Sequence, residues 1–362
     1  VDPRVAEKMM ECLTLEGNYG NPASRSHSVG WKAEEAVETA RRQVADLLVC
    51  DPREIVWTSG ATEANNLAIK GIAHFYSKKG KHIVTSKIEH KAVLDSCRQL
   101  EREGYDVTYL DPDDKGIISP ELVASTLRSD TILVTLMHVN NEIGVINDIE
   151  AIGKITREKG VIFHVDAAQS PGKLEINLET MKVDLMSLTA HKIYGPKGIG
   201  ALYLSKSIKN ILKPMIDGGG QEMGIRSGTL SPALCVGLGE ACADLKKNQI
   251  QYYEHFKKLK SVMLSELIQS KIDFEINGDV SSRIPNNLNI RIKNKEALAL
   301  FNQMPHIAMS TGSACTSGTI TRSHVLTALK LNDQQIDESF RISFGRETNF
   351  DHINELLNCL KK

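Results

Sequence analysis

Between residues 54 and 205 the chain alternates short apolar, β-rich runs with helix-like segments, and this alternation limits the fold more than any other feature. EIVWTS (54–59) reads as a strand and GATEANNLAIKGIAHFY (60–76) as a helix. KHIVTS (81–86) is a strand, and KAVLDSCRQLEREG a helix that stops at Gly104. YDVTYL, TILVTLMHV (131–139), VIFHVDA (161–167), VDLMSLTA (183–190) and GIGALYLS (198–205) are further strands, with PELVASTLR and DIEAIGKITREKG as helices among them. Apolar strands bounded by turn residues and separated by helices predict a mostly parallel sheet covered on both faces. The right-handed crossover rule then gathers the loops after the strand C-termini along one edge, where ligands bind. Near residue 249 the pattern changes. A long polar helix, roughly 250–270, leads into FEINGD, NNLNIRI and FRISFGR, the strands of a smaller α+β unit. The expected division is 1–249 for the large domain and 250–362 for the small one.

The bulk properties exclude several classes of function. The net charge of −1 gives no long-range attraction to nucleic acid or to an anionic membrane. No apolar run approaches the ~20 residues that span a bilayer, and no signal peptide is visible. The seven cysteines are odd in number, irregularly spaced and without a CxxC pair, which argues against a disulfide framework or a closed zinc site and for a reducing compartment.

Chemistry-bearing residues cluster at the predicted strand ends. In SLTAHKIYGPKGIGALYL (187–204) a strand ends at Thr189-Ala190, and His191 and Lys192 follow at its carboxyl end. A lysine there is placed to form a Schiff base with a carbonyl ligand, where a random lysine would be a surface charge. Asp166 in HVDAAQ ends the preceding strand, and a carboxylate there can keep a pyridine nitrogen protonated, as pyridoxal phosphate requires. TSGATEANN (58–66) offers a phosphate site, with a turn at Gly60 and a helix opening at Ala61-Thr62. His90, after KHIVTS, is a candidate for ring stacking and proton transfer. Asn141 and Gln169 also follow strands and are candidate hydrogen-bonding groups. Arg341 in FRISFGR is a candidate for bidentate capture of a carboxylate. GGGQEMGIRSGTL (218–230) reads as a close-approach loop that contacts either phosphate or another subunit. STGSACTSG (310–318) surrounds Cys315 with small residues, the setting of an accessible sulfur that is either an accident or a nucleophile that must move.

Taken in order, TSGATEANNLAIKG, TSKIEHKAVLDSC, HVNNEIGV, HVDAAQSPGKL, VDLMSLTAHKIYGPKGIGALY, GGGQEMGIRSGTL and TGSACTSG closely resemble the pyridoxal-phosphate cysteine desulfurases of the iron–sulfur-assembly type, from Val1 to about Arg346. The resemblance implies a fold-type I α/β homodimer of the class V aminotransferase group. Its large domain would carry a mostly parallel mixed sheet covered by helices, and a smaller α+β C-terminal domain would bear the cysteine loop. Position by position, Lys192 resembles the Schiff-base lysine, Asp166 the pyridine-nitrogen partner, His90 the stacking acid–base and Gln169 the partner of the ring hydroxyl. Ala61, Thr62, Thr189 and His191 fall where the family holds the phosphate, with Ala190 also at the cofactor; Thr189 stands where serine is commoner, and Ala190 where glycine is usual. Thr229 resembles the phosphate contact given by the other subunit. Asn141 and Arg341 match the substrate-carboxylate binders, with Asn141 also on the cofactor. Cys315 matches the sulfur-accepting cysteine, and as a persulfide it is a candidate transient iron–sulfur ligand.

The implied reaction removes sulfur from L-cysteine, leaving L-alanine and a persulfide on Cys315. The sulfur would pass to an iron–sulfur scaffold protein and to other acceptors, including those of tRNA thiolation. The family has an N-terminal segment before VDPRVAEKMM and a tail beyond Lys362 that this sequence does not show, so scaffold docking is the least supported expectation. Selenocysteine lyase, class V aminotransferase and a catalytically impaired sulfur-carrier or scaffold-binding subunit stay open as alternatives. The expected compartment is the bacterial cytoplasm, with the mitochondrial matrix as the alternative.

Overall fold

The computed structural model describes residues 1–311 and 322–361. The chain opens with α1 (Pro3–Met10) and α2 (Ser28–Leu48), then alternates β1 (Ile55–Thr58), α3 (Ala61–Tyr76), β2 (His82–Ser86), α4 (Lys91–Arg102), β3 (Asp106–Leu110), α5 (Pro120–Thr126), β4 (Thr131–Met137), α6 (Ile149–Glu158) and β5 (Ile162–Asp166). There follow α7 (Leu178–Met181), β6 (Leu185–Thr189), β7 (Gly200–Leu204) and the long α8 (Pro232–Gln269). The last part holds β8 (Phe274–Ile276), β9 (Asn287–Ile292), α9 (Ala297–Gln303), α10 (His324–Ala328), α11 (Asp333–Asp337), β10 (Ser339–Ser343) and α12 (Phe350–Leu360).

Seven strands form one sheet in the order β1-β7-β6-β5-β4-β2-β3. Neighbours from β6 to β3 are parallel, whereas β7 runs antiparallel to both β6 and β1. Because β7 reverses twice, β1 points the same way as β6, and the carboxyl ends of β1, β2, β4, β5 and β6 share one edge. β2, β4, β6 and β7 are buried along their whole length, as strands covered on both faces must be. One face carries the core around Trp57, Phe163, Val165 and Leu245; the other carries Ile69, Ile72, Cys97 and Leu100. A separate three-stranded antiparallel sheet, β10-β9-β8, packs Leu288, Ile290 and Phe340 against Met263 of α8 and Leu357 of α12.

Helix α8 begins at Pro232 rather than near residue 250, so position 249 lies inside it. Ser231 caps it, its side chain accepting from Leu234 N, and Pro232 stands in its first turn. Gly237 and Gly239 lower the helix propensity of this first part and hide it from a sequence reading. Their value is in packing: a Cβ on Gly239 would sit 2.6 Å from Ala40 Cα of α2.

Near the C-terminal end of this helix–sheet assembly a charged clasp joins distant parts of the chain. Arg346 pairs with Asp2 at 2.7 Å and Asp244 at 2.6 Å, and its guanidinium lies 3.7 Å from the Tyr194 ring centroid. All three charged side chains are largely buried. No helix among the described residues is long and apolar enough to cross a membrane.

Candidate active site

The shared sheet edge collects the residues singled out from the sequence. Asp166 is the last residue of β5 and Thr189 the last of β6, on adjacent parallel strands with Asp166 opposite Ser187. Ala190, His191 and Lys192 form a 3₁₀ turn directly after β6. Ala61 and Thr62 are the first two residues of α3, His90 caps α4 after β2, and Asn141 follows β4. Arg341 comes from the other sheet, in the middle of β10, and its Nη1 donates to the Asn141 carbonyl at 2.9 Å. Asn141, Gln169, His191, Lys192 and Arg341 line one cavity of about 220 Å³ between the two sheets. Thr62 lines a neighbouring cavity beside Arg226, and Thr229 is exposed just before α8. Cys315 lies outside the described residues.

Local chemistry fixes each of these groups. The Asp166 carboxylate is buried; it accepts from Asn65 Nδ2 at 2.7 Å and from Ala168 N at 2.9 Å, two neutral donors that hold its plane. His90 Nδ1 accepts from Ala92 N at 3.1 Å, so the outer ring nitrogen is the one turned away from the helix. The Thr189 hydroxyl and His191 Nδ1 are 2.9 Å apart. Ala190 is fully buried and its N–H donates to Ile199 O, so it contributes packing and turn geometry rather than a spare donor. Gly60, at φ 152°, caps α3 with no side-chain bond to the first-turn amides. A Cβ on Gly200 of β7 would meet Gly60 Cα at 2.6 Å, so this glycine lets the α3 N-terminus press against the sheet beside Thr189.

Three further residues enter the site that the sequence reading did not assign. Asn65 sits one helical turn after Thr62, inside a stretch already singled out, and its contact to Asp166 needed the fold to be seen. Lys173, four residues after Gln169, donates to Gln169 Oε1 at 3.2 Å; burial and the nearby Lys192 charge push its amine down to about 7. Glu89, beside His90, is fully buried, accepts from Ser86 Oγ and Met137 N, and burial with the Asp166 charge pushes it up to about 8.

Comparison with known proteins places this constellation. Residues 1–356 match the aminotransferase class-V family. Cysteine desulfurase IscS of Stutzerimonas stutzeri is 57% identical over 354 residues, covering 98% of this chain and 87% of its own length. Cysteine desulfurase IscS of Pseudomonas aeruginosa is 58% identical over the same shares. The chain belongs to the cysteine desulfurases. Among solved structures, a NifS-like protein superposes with TM-score 0.92 at 33% identity, covering 100% of this chain and 95% of its own. A protein described as SspA in complex with cysteine gives 0.84 at 40%, covering 95% of each.

Enzymes of this family depend on pyridoxal phosphate, and the residues present fit it. A buried carboxylate held by neutral donors suits a protonated ring nitrogen. An uncapped helix start beside a threonine hydroxyl and an imidazole suits a phosphate. A lysine on the turn between them suits an aldehyde.

Proposed function

We propose that this enzyme takes sulfur from L-cysteine with Lys192, Asp166, His90 and Cys315 as its working groups. The observation that carries the reading is the placement of Asp166 and Lys192 at the ends of the adjacent parallel strands β5 and β6, beside the α3 N-terminus. Ala61, Thr62, Thr189 and His191, with the Ala190 turn, would hold the phosphate of pyridoxal phosphate. Gln169 would meet its ring hydroxyl, and Asn141 and Arg341 would take the substrate carboxylate. The cofactor supplies an electron sink that weakens bonds to the amino acid's Cα and Cβ.

The chain's own groups do the rest. Lys192 would take the Cα proton. Asp166 keeps the ring nitrogen protonated. Arg341, steadied by the Asn141 carbonyl, fixes the carboxylate and so points the side-chain sulfur away from it. The Cys315 thiolate attacks that sulfur: an S–S bond forms, the Cβ–S bond breaks, and its electron pair stays with the carbon fragment. His90 or Lys192 returns protons, and L-alanine leaves. The half-buried Cys50 and the buried Cys242 offer a contrast, since desolvation pushes both thiols up to about 12 and leaves them poor nucleophiles.

The reading extends to a homodimer in which the exposed Thr229 reaches the partner's phosphate site, to domains 1–249 and 250–362, and to a cytoplasmic setting. It also includes delivery of the persulfide sulfur to an iron–sulfur scaffold and to acceptors of tRNA thiolation, with Cys315 as a transient iron–sulfur ligand. The test is alanine and sulfide release from L-cysteine with thiol reductant. The parent should release both in equal amounts; C315A should bind pyridoxal phosphate and release neither. K192A should lose the borohydride-reducible link. Full turnover by C315A, or a persistent link at another residue, overturns the assignment.

A further inference from the structure

A second lysine shares the Lys192 cavity. Lys173 is 7% exposed, and the only hydrogen-bond partner of its ammonium among the described residues is Gln169 Oε1. No carboxylate lines the cavity among the described residues. Its charged groups are Lys173, Lys192 and Arg341, and His191, Tyr194 and Tyr252 are the other titratable ones. Asp244, on α8 nearby, is engaged by Arg4, Arg346 and Tyr252. A buried ammonium without a counter-charge is costly, and a methionine of the same reach would fill the space more cheaply. The position therefore carries a charge that packing alone does not call for.

What that charge does follows from its one bond. A lysine ammonium only donates, so Gln169 Oε1 is committed as acceptor and the amide NH₂ is left to face the cavity. We infer that Lys173 is a positioning residue of the cofactor pocket: it turns the Gln169 amide so that its NH₂ donates into the cavity, and it sets the electrostatic field at Lys192. The inference rests on the assignment of Lys192 and Gln169 to the pyridoxal phosphate site. Two like charges that face one cavity each disfavour protonation of the other. Burial, with the Lys192 charge in the same direction, pushes Lys173 down to about 7. By the same Coulombic coupling, a charge on Lys173 disfavours a charge at the Lys192 nitrogen. The NH₂ of Gln169 meanwhile favours an ionised oxygen on the ring.

The test is a pH titration of the cofactor absorbance in the holoenzyme, comparing the parent with K173M and K173R. K173M should raise the midpoint by about one unit, a tenfold gain in proton affinity. K173R keeps the charge and should stay near the parent. K173M should melt no lower than the parent, because the substitution removes an uncompensated buried charge. A K173M midpoint within about 0.3 unit of the parent, a twofold effect, overturns the inference, as does a K173R shift as large as that of K173M. Should K173M fail to fold, K173Q is read in the same way. Borohydride reduction and peptide mapping keep the two readings apart. A label at Lys192 with an unmoved midpoint overturns the role of Lys173 alone. A label elsewhere overturns both.

Discussion

Replacing Arg346 by methionine should weaken the enzyme by an amount that the clasp lets us work out. Arg346 is the buried partner of two carboxylates, Asp2 at 2.7 Å and Asp244 at 2.6 Å, which the exposed Arg4 also contacts; Arg346, Asp2 and Asp244 are 8%, 8% and 12% exposed. Methionine keeps most of the volume and the stacking against Tyr194, so the loss is electrostatic. Removing one partner of a buried ion pair costs about 3–5 kcal/mol, because the remaining charge stays buried. At about 2.1 cal/mol/K per residue, 362 residues give an unfolding entropy of about 0.76 kcal/mol/K. The melting temperature at pH 7 should then fall by about 4–7 °C, read by calorimetry on the holoenzyme. D2N/R346M/D244N, which removes the stranded charges as well, should recover most of it. The pH dependence has a definite sign. Arg4 first, then Arg346, holds the Asp2 carboxyl well below the usual range. A depressed carboxyl contributes stability above its unfolded value of 3.8, and that stability is lost as pH falls below it. The parent should therefore lose stability on acidification, and R346M should lose less, while Arg4 keeps part of the effect. A drop below about 2 °C, or a triple variant no better than R346M, would refute the reasoning.

Two other perturbations follow from the site. E89Q should be at least as stable as the parent at pH 7. Glu89 is raised to about 8 when folded, so the parent loses stability as pH climbs from about 4.5 toward 8, and denaturant titrations of E89Q should show a flatter profile there. G200A should displace the start of α3, since the new Cβ would lie 2.4 Å from Leu188 O and 2.6 Å from Gly60 Cα. Cofactor affinity and turnover should fall, turnover on the order of 100-fold, with the far-UV spectrum retained.

The strands of the large sheet were legible because each is an apolar run bounded by turn residues. Asp166 and Lys192 were legible because they stand where such runs stop. The reversed direction of β7 was not: GIGALYLS looks like any buried strand, and direction is set by the short connection through Pro196 and Gly198. The first part of α8 was hidden by Gly237 and Gly239, whose role lies in contact with other segments. Asn65, Lys173 and Glu89 stood inside quoted motifs without being assigned. Asn65 contributes only through a contact to Asp166, 101 positions away, and no local pattern reports that.

The sheet order also fixes a sequence of events at the ribosome. β1 touches the sheet only through β7, with Thr58 opposite Gly200. The strand that leads into α3 is thus made early and must wait, unpaired and apolar, until β7 has left the exit tunnel. The Lys192 turn, bounded by the neighbouring strands β6 and β7, can close as soon as both are out, since local pairings form ahead of distant ones. A nascent chain halted before Gly200 would carry Lys192 without β1 seated in the sheet, so with the site proposed above pyridoxal phosphate would load only after β7 is made. Until then β1 is a segment for a chaperone to cover.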